Sequence, residues 1–234
     1  MISVAMATYN GEKYIMTQVK SILKNLNPED ELVISDDGST DRTIKIVESL
    51  NDKRIKIYKG PGKGVSKNFE NAICHCKGDI IFLSDQDDIW AKGKVSKVLK
   101  AFEDEKCVVV LHDAIVVDET NTIIKPSYYK YRFRKVYTST FLNLIKSTYF
   151  GCCMAFRPVS KSKIFPIPKG CLHDRWIGLI LSISGKTVYL DEPLIKYRRH
   201  GDNVSSFDKP NSIDKQIVER ARMAFWLIKR GIFG

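Results

Sequence analysis

The first half of the chain alternates short apolar runs with segments in which apolar residues recur every three or four positions. The runs cover residues 2–7, 31–35, 54–58 and 78–84, and the periodic segments lie between them. Runs of that length are typical of buried strands, and the three-to-four spacing predicts helices. The resulting β-α-β-α-β-α-β order, with strands apolar on both faces, predicts a parallel sheet covered by helices.

The pattern is less regular after residue 100. Strands are predicted at 107–117, where His112 and Asp113 interrupt the apolar run, at 150–156, and at 186–190, ending at Asp191-Glu192-Pro193. Helices are predicted at 174–184, with Asp174 at the start, and from 213 to 230. The last helix carries one apolar stripe of Ile213, Ile217, Ala221, Ala224, Phe225 and Ile228, with Met223 and Trp226 outside it.

Polar residues follow the predicted parallel strands at the points where they end. They are Thr8 and Tyr9, Asp36 and Asp37, and Asp85 to Asp88 in the stretch FLSDQDDIW. Because ligands of open α/β sheets bind outside the carboxyl ends of the strands, these residues are candidates for a binding cleft. Capping of the following helices is the structural alternative for each of them.

Asp85, Asp87 and Asp88, here called the acidic tip, come directly after an apolar strand. Three carboxylates so close together repel one another and lose hydration when buried, so a cation or donor group is expected beside them. Oxygen ligands suit a hard divalent ion such as Mn²⁺ or Mg²⁺, which completes its shell with substrate phosphates and water.

Composition narrows the function classes. The chain has 234 residues with 38 Lys+Arg and 27 Asp+Glu, a net charge of +11, which would suit nucleic acid, an anionic membrane or a phosphate-bearing substrate. No nucleic-acid recognition motif accompanies the charge, so a nucleic-acid partner is not expected. The cysteines lack disulfide or metal spacing, and no leader pattern or apolar run of ~18 residues is present. We therefore expect a cytoplasmic protein.

Six stretches together resemble the family 2 glycosyltransferases. They are VAMATYNGEKYI, VISDDGSTDRT, GKGVSKNFENAI, FLSDQDDIW, CLHDRWIG and YRRHGDNVS, which run from residue 4 to 205 in family order. The resemblance implies a glycosyltransferase A-type α/β fold, Rossmann-like, with a mostly parallel sheet flanked by helices. It also implies a catalytic domain at 1–205, in which 1–110 binds the nucleotide sugar and 111–205 the acceptor, followed by a linker and amphipathic helix at 206–234.

The resemblance also implies roles for individual residues. Thr8 and Tyr9 would line the nucleoside pocket, and Asp36 would receive a pyrimidine N–H. Lys67 and Asn68 would lie near the base or diphosphate. Asp85 would approach the ribose. The remaining implied roles are a metal ligand for Asp87 and His200, a catalytic base for Asp174, and leaving-group stabilisation for Arg198 and Arg199.

The function implied is an inverting, metal-dependent transfer of a sugar from a UDP- or dTDP-linked donor to a saccharide acceptor. The stretches ATYNGEKYI, KNFE and SDQDDIW are most similar to the rhamnosyltransferase-like subgroup of bacterial surface-polysaccharide enzymes. Since such enzymes often use lipid-linked acceptors, the basic C-terminal helix is expected to contact the inner face of the cell membrane peripherally. Docking of that helix on the core or on a second subunit is the alternative.

Two other functions remain open from the sequence. A sugar-1-phosphate nucleotidyltransferase would carry a Gly-rich, Arg-containing loop after the first strand, where this chain has ATYNGEKYI. A non-catalytic regulator that binds sugar nucleotides would keep the donor pocket but would need no catalytic base.

Overall fold

The computed structural model describes residues 1–133, 135–158, 161–201 and 213–231. Its first half contains the predicted alternation of strands and helices. The strands are β1 (Ile2–Thr8), β2 (Glu31–Asp36), β3 (Ile55–Lys59) and β4 (Ile80–Ser84), and the helices between them are α1 (Ile15–Leu23), α2 (Thr43–Glu48) and α3 (Val65–His75). All of β1, β2 and β4 is buried except Ala7, which is half-buried, so their continuous apolar runs reflect coverage on both faces.

The second half adds shorter and longer elements. The strands are β5 (Ile89–Trp90), β6 (Cys107–Val117), β7 (Ile123–Lys125), β8 (Met154–Phe156) and β9 (Lys186–Arg198). The helices are α4 (Lys94–Ala101), α5 (Tyr128–Arg132), α6 (Thr140–Ile145), α7 (Lys161–Ile164), α8 (His173–Ser184) and α9 (Ile213–Lys229), with a 3₁₀ turn at Gly151–Cys153.

The described strands form one sheet in the order β3-β2-β1-β4-β8-β6-β9-β5, with β7 paired to β6. Strands β3, β2, β1 and β4 are parallel, and β8 joins β4 and β6 antiparallel. The α/β class with flanking helices is thus confirmed. Strand order reverses at β1, which pairs with β2 on one side and β4 on the other, and such a point is where α/β sheets bind ligands.

Strand β9 is longer than the sequence predicts. It continues through Pro193 to Arg198, whereas the apolar run indicated an end at Leu190. Its pairing partner shifts between His112 opposite Leu190 and Asp113 opposite Pro193, so two residues of β9 are accommodated as an irregularity there. Proline is tolerated at such an irregularity because it does not have to donate to the ladder. The extension carries Arg198 to the acidic tip.

The C-terminal helix packs with a different face from the predicted stripe. Met223 and Leu227 are the buried apolar residues of α9, while Ile217, Phe225 and Ile228 are exposed. Which face of an apolar helix is buried depends on its tertiary partners, and the stripe alone does not determine it. The predicted boundary at 205/206 and most of the linker lie at 202–212, outside the described residues.

Two expectations about the chain as a whole can be compared with the described residues. The six cysteines are free, and all except Cys74 are buried, as expected for core thiols. Within the described segments, no helix is both long enough and apolar enough to cross a bilayer.

Candidate active site

The carboxylate of Asp36, the last residue of β2, is bound by the turn that follows the strand. It accepts hydrogen bonds from the Ser39 backbone N–H (2.8 Å), the Gly38 N–H (3.2 Å), the Ser39 hydroxyl, and the Thr8 hydroxyl (2.8 Å). Four donors are about as many as a carboxylate can accept. Receiving a base N–H, the role implied for Asp36, would therefore require one of the two hydroxyls to rotate away. Tyr9, the next predicted pocket residue, is 57% exposed and free to cover a ligand.

A glycine-rich loop before α3 is fixed to the same strand ends. Asp37 accepts from the N–H groups of Gly62 (2.6 Å) and Gly64 (2.9 Å), which both have left-handed backbone (φ +65° and +84°) that favours glycine. The amide of Asn68 donates to the Thr8 carbonyl (3.1 Å), while its buried Oδ1 has no partner among the described groups. Asn68 thus lies at the predicted pocket with an acceptor to spare.

Lys67 is held on the other side of its helix. Its ammonium donates to the carboxylate of Glu70 (2.7 Å) and to the Ile167 carbonyl (2.9 Å). The side chain therefore ties α3 to the loop after α7. A direct contact with the base or diphosphate, as the resemblance implies, would require Lys67 to release both partners.

The acidic tip is electrostatically strained. Burial, together with repulsion from the negative charges of Asp87 and Asp174, raises the pKa of Asp85 to about 7. Burial also raises the pKa of Asp88 well above its usual value, with added repulsion from Asp87 and Asp85. One oxygen of Asp88 accepts from the Arg198 backbone N–H (3.1 Å), and the other is buried without a partner. This is the excess negative charge that the sequence predicts here.

Asp87 and His200, the two predicted metal ligands, are adjacent in the structure. His200 Nε2 lies 2.7 Å from Asp87 Oδ2, and their side chains are 8% and 13% exposed. Strand β9 brings them together, because it runs parallel to β6 and delivers residues 198–200 to the end of the sheet where β4 stops. The two groups are 113 positions apart in sequence.

The two arginines before His200 are placed differently. The guanidinium of Arg198 is buried, donates to the backbone carbonyls of Asp87 (2.9 Å) and Glu119 (3.0 Å), and lies over the Tyr14 ring at 4.7 Å. It is positioned to hold the loop of the acidic tip rather than to meet a leaving group. Arg199 is half-buried and donates to the Tyr197 hydroxyl (3.3 Å). Of the two arginines it is therefore the more accessible to a leaving group, which is the role implied by the resemblance.

Two glutamines that the sequence reading did not assign support the site. The Gln86 amide pairs with the backbone of Tyr9 in both directions, at 2.9 Å and 3.0 Å, and so joins the loops after β1 and β4. The Gln18 amide, fully buried on α1, donates to the Asp85 carbonyl and the Ser84 hydroxyl, both at 2.9 Å. Gln18 could have been identified from the sequence, because a glutamine on the apolar face of a predicted helix is unusual.

Lys94 supplies positive charge beneath the acidic tip. It is completely buried on α4, donates to the Cys152 carbonyl (3.2 Å), and lies 3.9 Å from the centre of the Trp90 ring. Burial lowers its pKa to about 8, and the charges of Asp88 and Asp85 oppose that fall. One buried cation therefore offsets only part of the negative charge that the three carboxylates carry when all are ionised.

Asp174 begins α8 on the acceptor side of the sheet. Its Oδ2 accepts from the Gly151 N–H (3.1 Å) and its Oδ1 from the N–H of Arg175 (2.7 Å). Its charge contributes to the raised pKa of Asp85, so the two carboxylates share one electrostatic environment. The preceding His173 is buried and stacked on Phe69 at 4.0 Å, with neither ring nitrogen bonded within the described structure.

The donor set around the acidic tip fits a divalent cation. Asp85, Asp88 and Cys152 offer ligand atoms that all lie within 4.8 Å of one another, and Asp87 with His200 adjoins them. One buried oxygen of Asp88 has no hydrogen-bond partner among the described residues, which leaves it available to a cation. Carboxylates with one imidazole suit Mn²⁺ or Mg²⁺, whereas the thiol of Cys152 would suit a softer ion.

Three known proteins are informative comparisons. The dTDP-rhamnosyl transferase RfbG of Shigella flexneri is 30% identical over 216 residues, which cover 85% of this chain and 72% of RfbG. An Escherichia coli UDP-Glc:alpha-D-GlcNAc-diphosphoundecaprenol beta-1,3-glucosyltransferase, WfgD, is 23% identical, with 88% and 80% covered. The S. aureus TarS 1-349 structure in complex with UDP-GlcNAc superposes with a TM-score of 0.72 at 20% identity over 95% of this chain.

The extent of each match limits what it supports. The chain spans 66% of that TarS chain, and the similarity at 20% identity concerns the fold. Residues 3–165 match the sequence profile of the family described as Glycosyl transferase family 2, and that region includes both the Asp36 turn and the acidic tip. The chain belongs to glycosyl transferase family 2, with a glycosyltransferase A-type fold.

Proposed function

We propose that this chain transfers a sugar, with inversion, from a pyrimidine nucleoside-diphosphate donor to a saccharide acceptor in bacterial surface-polysaccharide synthesis. The observation that carries the proposal is the convergence of the acidic tip, His200 and Asp174 at the carboxyl ends of β1, β2 and β4. A cleft with unsatisfied carboxylates at one point and a separate carboxylate on a helix start can bind a diphosphate through a cation and still provide a base.

The donor half is residues 1–110. Thr8, Asp36 and Asn68 would hold the base and ribose side, with Tyr9 stacking or covering the nucleoside, and Asp85 would approach the ribose. RfbG is named as a dTDP-rhamnosyl transferase, WfgD is named for UDP-Glc, and TarS forms a complex with UDP-GlcNAc. These donors support a pyrimidine base for this chain. The choice between uracil and thymine depends on the space beside Asp36, where a thymine methyl would add one carbon.

Asp87 and His200 would hold the divalent cation, which supplies positive charge to the diphosphate of the donor. The chain itself holds these groups in position. Arg198 donates to the backbone carbonyl of Asp87 and so fixes that loop, and Arg199 lies next to it at the end of β9. Preorganised charges of this kind act on the departing diphosphate without reorganisation during the reaction. Mn²⁺ and Mg²⁺ both match the donor set, and we propose that either one serves.

Asp174 is the proposed catalytic base, in the acceptor half at 111–205. A carboxylate there would take the proton from the attacking hydroxyl as it displaces the nucleoside diphosphate from the opposite face of the sugar. Its two hydrogen bonds, from the N–H groups of Gly151 and Arg175, fix the carboxylate in place. Single displacement of this type inverts the anomeric configuration.

The acceptor is proposed to be a lipid-linked saccharide. Support comes from WfgD, which is named for a diphosphoundecaprenol-linked sugar acceptor. A chain acting on such an acceptor would work at the inner face of the cell membrane and contact it peripherally. The strongly basic composition, +11 overall, suits an anionic membrane surface.

The proposal is tested by incubating the purified chain with a panel of UDP- and dTDP-sugars, with Mn²⁺, Mg²⁺ or EDTA. We expect donor hydrolysis or transfer with at least one sugar, abolished by EDTA, and a product whose anomeric configuration is inverted by NMR. Retention of configuration, or equal rates in EDTA, would contradict the mechanism.

A regulator that only binds sugar nucleotides is the second candidate, because it would keep the donor pocket and need no catalytic base. It predicts that Asp174→Asn leaves the cellular function intact, whereas the enzyme requires its loss. The loop after β1 pairs Tyr9 with Gln86 and has no Gly-rich, Arg-containing sequence of the kind that a nucleotidyltransferase would need there, so that function is not proposed.

A further inference from the structure

Helix α9 is apolar on two opposite faces. Its inward face buries Met223 and Leu227, and Arg230 at its end donates to the carbonyls of Lys163 and Ile164. Arg175 on α8 pairs with Glu219 at 2.6 Å. These contacts dock the helix on the core, so the orientation of its remaining face is fixed.

The outward face of α9 is unusually apolar for a surface. Phe225 is 58% exposed and Ile228 is 71% exposed, and Ile217 and Val218 exceed half exposure as well. At about 100° per residue these four side chains and Ala221 fall within roughly one third of the helix circumference. Isolated exposed apolar residues are ordinary, but a continuous stripe of them marks an interaction surface.

Helix α6 enlarges this stripe. It packs against α8 and α9 and exposes Phe141 (68%), Leu142 and Ile145, while its Asn143 is buried. The outward face of α9 (Ile217, Val218, Ala221, Phe225 and Ile228) together with the exposed side chains of α6 (Phe141, Leu142 and Ile145) is here called the α6–α9 surface.

Unpaired cations border the α6–α9 surface. Arg222 donates to the Gly170 carbonyl, and Lys229 lies 4.7 Å from the centre of the Trp226 ring. Exposed Lys163, in α7, and exposed Lys169, next to Gly170, lie in the two segments to which arginines of the C-terminal helix region donate hydrogen bonds. Within the described residues none of these four cations forms an ion pair with a carboxylate. The acid described on the outward face, Asp214, is in the first turn, at the far end from Lys229.

We propose that the α6–α9 surface docks on an anionic lipid bilayer, with Phe225, Ile228 and Phe141 entering the interface and the bordering cations meeting headgroup phosphates. Apolar side chains rimmed by Lys and Arg are the composition that binds the bilayer interface. A second copy of the chain fits less well, because a symmetric contact would place each basic rim against its twin. The inference deepens the membrane contact proposed above and rests on it.

The test measures flotation of the full chain with vesicles of phosphatidylcholine alone or with added phosphatidylglycerol. We expect binding to the anionic vesicles that weakens with salt. Arg222→Gln with Lys229→Gln should weaken it roughly twentyfold, about fivefold per cation. Phe225→Ser with Ile228→Ser should weaken it by at least about tenfold. These side chains are exposed, so the melting temperature should not change.

Matched controls come from other exposed surfaces. Ile123→Ser with Ile124→Ser on β7, and Lys45→Gln with Lys53→Gln around α2, remove exposed side chains of the same kinds from elements other than α6 and α9 and should leave binding within about twofold. Donor hydrolysis by all of these variants should match the parent chain, because none of the residues lies at the acidic tip. Failure of the glycosyltransfer chemistry would therefore be seen separately from failure of docking.

Three outcomes would overturn the proposal. Vesicle binding that survives Phe225→Ser with Ile228→Ser would leave membrane contact standing but place it elsewhere. Absence of binding to any anionic vesicle would remove both the surface and the contact. A dimer in light scattering that dissociates in Phe225→Ser with Ile228→Ser would assign the α6–α9 surface to a second copy.

Discussion

Asp36 and Asp85 follow strands that flank β1 on either side, yet their surroundings differ in kind. Asp36 is satisfied by four donors from its own turn and from Thr8. Asp85 has like charges around it and a pKa raised to about 7, and its neighbour Asp88 keeps an unpartnered oxygen. One aspartate stabilises its own turn, whereas the other belongs to the group that we propose is completed by a cation.

Whether an acidic residue at a strand end is structural or available to a ligand depends on the hydrogen-bond donors around its carboxylate and not on the number of acidic residues. Both stretches, SDDGST and SDQDD, are rich in Asp. The difference arises because Gly38 and Ser39 turn their N–H groups back toward Asp36, whereas no N–H group of the described residues donates to the carboxylate of Asp85.

The largest effect is expected from Asp174→Asn, which removes the proposed base and one of the negative charges near Asp85. The transfer rate should fall about 10³-fold, because general-base catalysis contributes on that scale. Donor affinity should change less than about threefold, as measured by steady-state kinetics and nucleotide titration. Asp191→Asn, at an exposed residue paired with Lys130, serves as the control. An active Asp174→Asn chain would exclude this residue as the base.

The next effect is expected from Asp87→Asn, which takes a charged ligand from the acidic tip. Nucleoside diphosphate binding in Mn²⁺ should weaken about 100-fold, equivalent to about 2.7 kcal/mol. Binding in EDTA should hardly change, because the cation is absent in both cases. Isothermal titration calorimetry checks this, with Asp37→Asn as the partner variant at the other cluster. Equal losses with and without Mn²⁺ would mean that Asp87 acts without a cation.

The two aspartates should have opposite effects on stability. In EDTA, Asp36→Asn should lower the free energy of unfolding by about 2 kcal/mol, because the amide cannot accept all four donors. Asp85→Asn should raise it, because the substitution removes a buried charge and its repulsion by Asp87 and Asp174. Chemical denaturation of both variants measures the contrast. A loss of stability in Asp85→Asn would show that the carboxylate is already satisfied.

The last expected effect is a pH dependence of stability in EDTA, with a slope of at most about 1.4 kcal/mol per pH unit for each titrating group. Asp85 has a folded pKa of about 7 against 3.8 unfolded, so the native state holds the proton longer and stability falls from pH 4 to 7. Lys94 has a folded pKa of about 8 against 10.5, so stability rises again between pH 8 and 10.5. Lys94→Met should abolish the upper rise, and a flat profile in the parent chain would contradict both assignments.

Much of the donor half follows from the sequence. Strands β1, β2 and β4 could be predicted because both of their faces are apolar, and the acidic tip because three carboxylates directly follow one of them. The adjacency of Asp87 and His200 required the family resemblance, since 113 positions separate them and no local pattern joins them.

The remaining features depend on tertiary contacts. The family resemblance implies a leaving-group role for Arg198 in YRRHG, whereas its burial over Tyr14 follows from the extension of β9 past Pro193. Lys67 reads as a phosphate ligand, and its commitment to Glu70 and Ile167 depends on where the loop after α7 lies. For α9, two apolar faces competed, and only packing on the core selects Met223 and Leu227.

The central claim is that the acidic tip is completed by a divalent cation that also holds the donor diphosphate. Its most direct test is diffraction at the manganese absorption edge from crystals of the chain grown with Mn²⁺ and UDP or dTDP. We predict one anomalous peak in contact with Asp87 and His200 and with the diphosphate oxygens. A bound nucleotide without that peak, or a peak beside Asp36 instead, would contradict the claim.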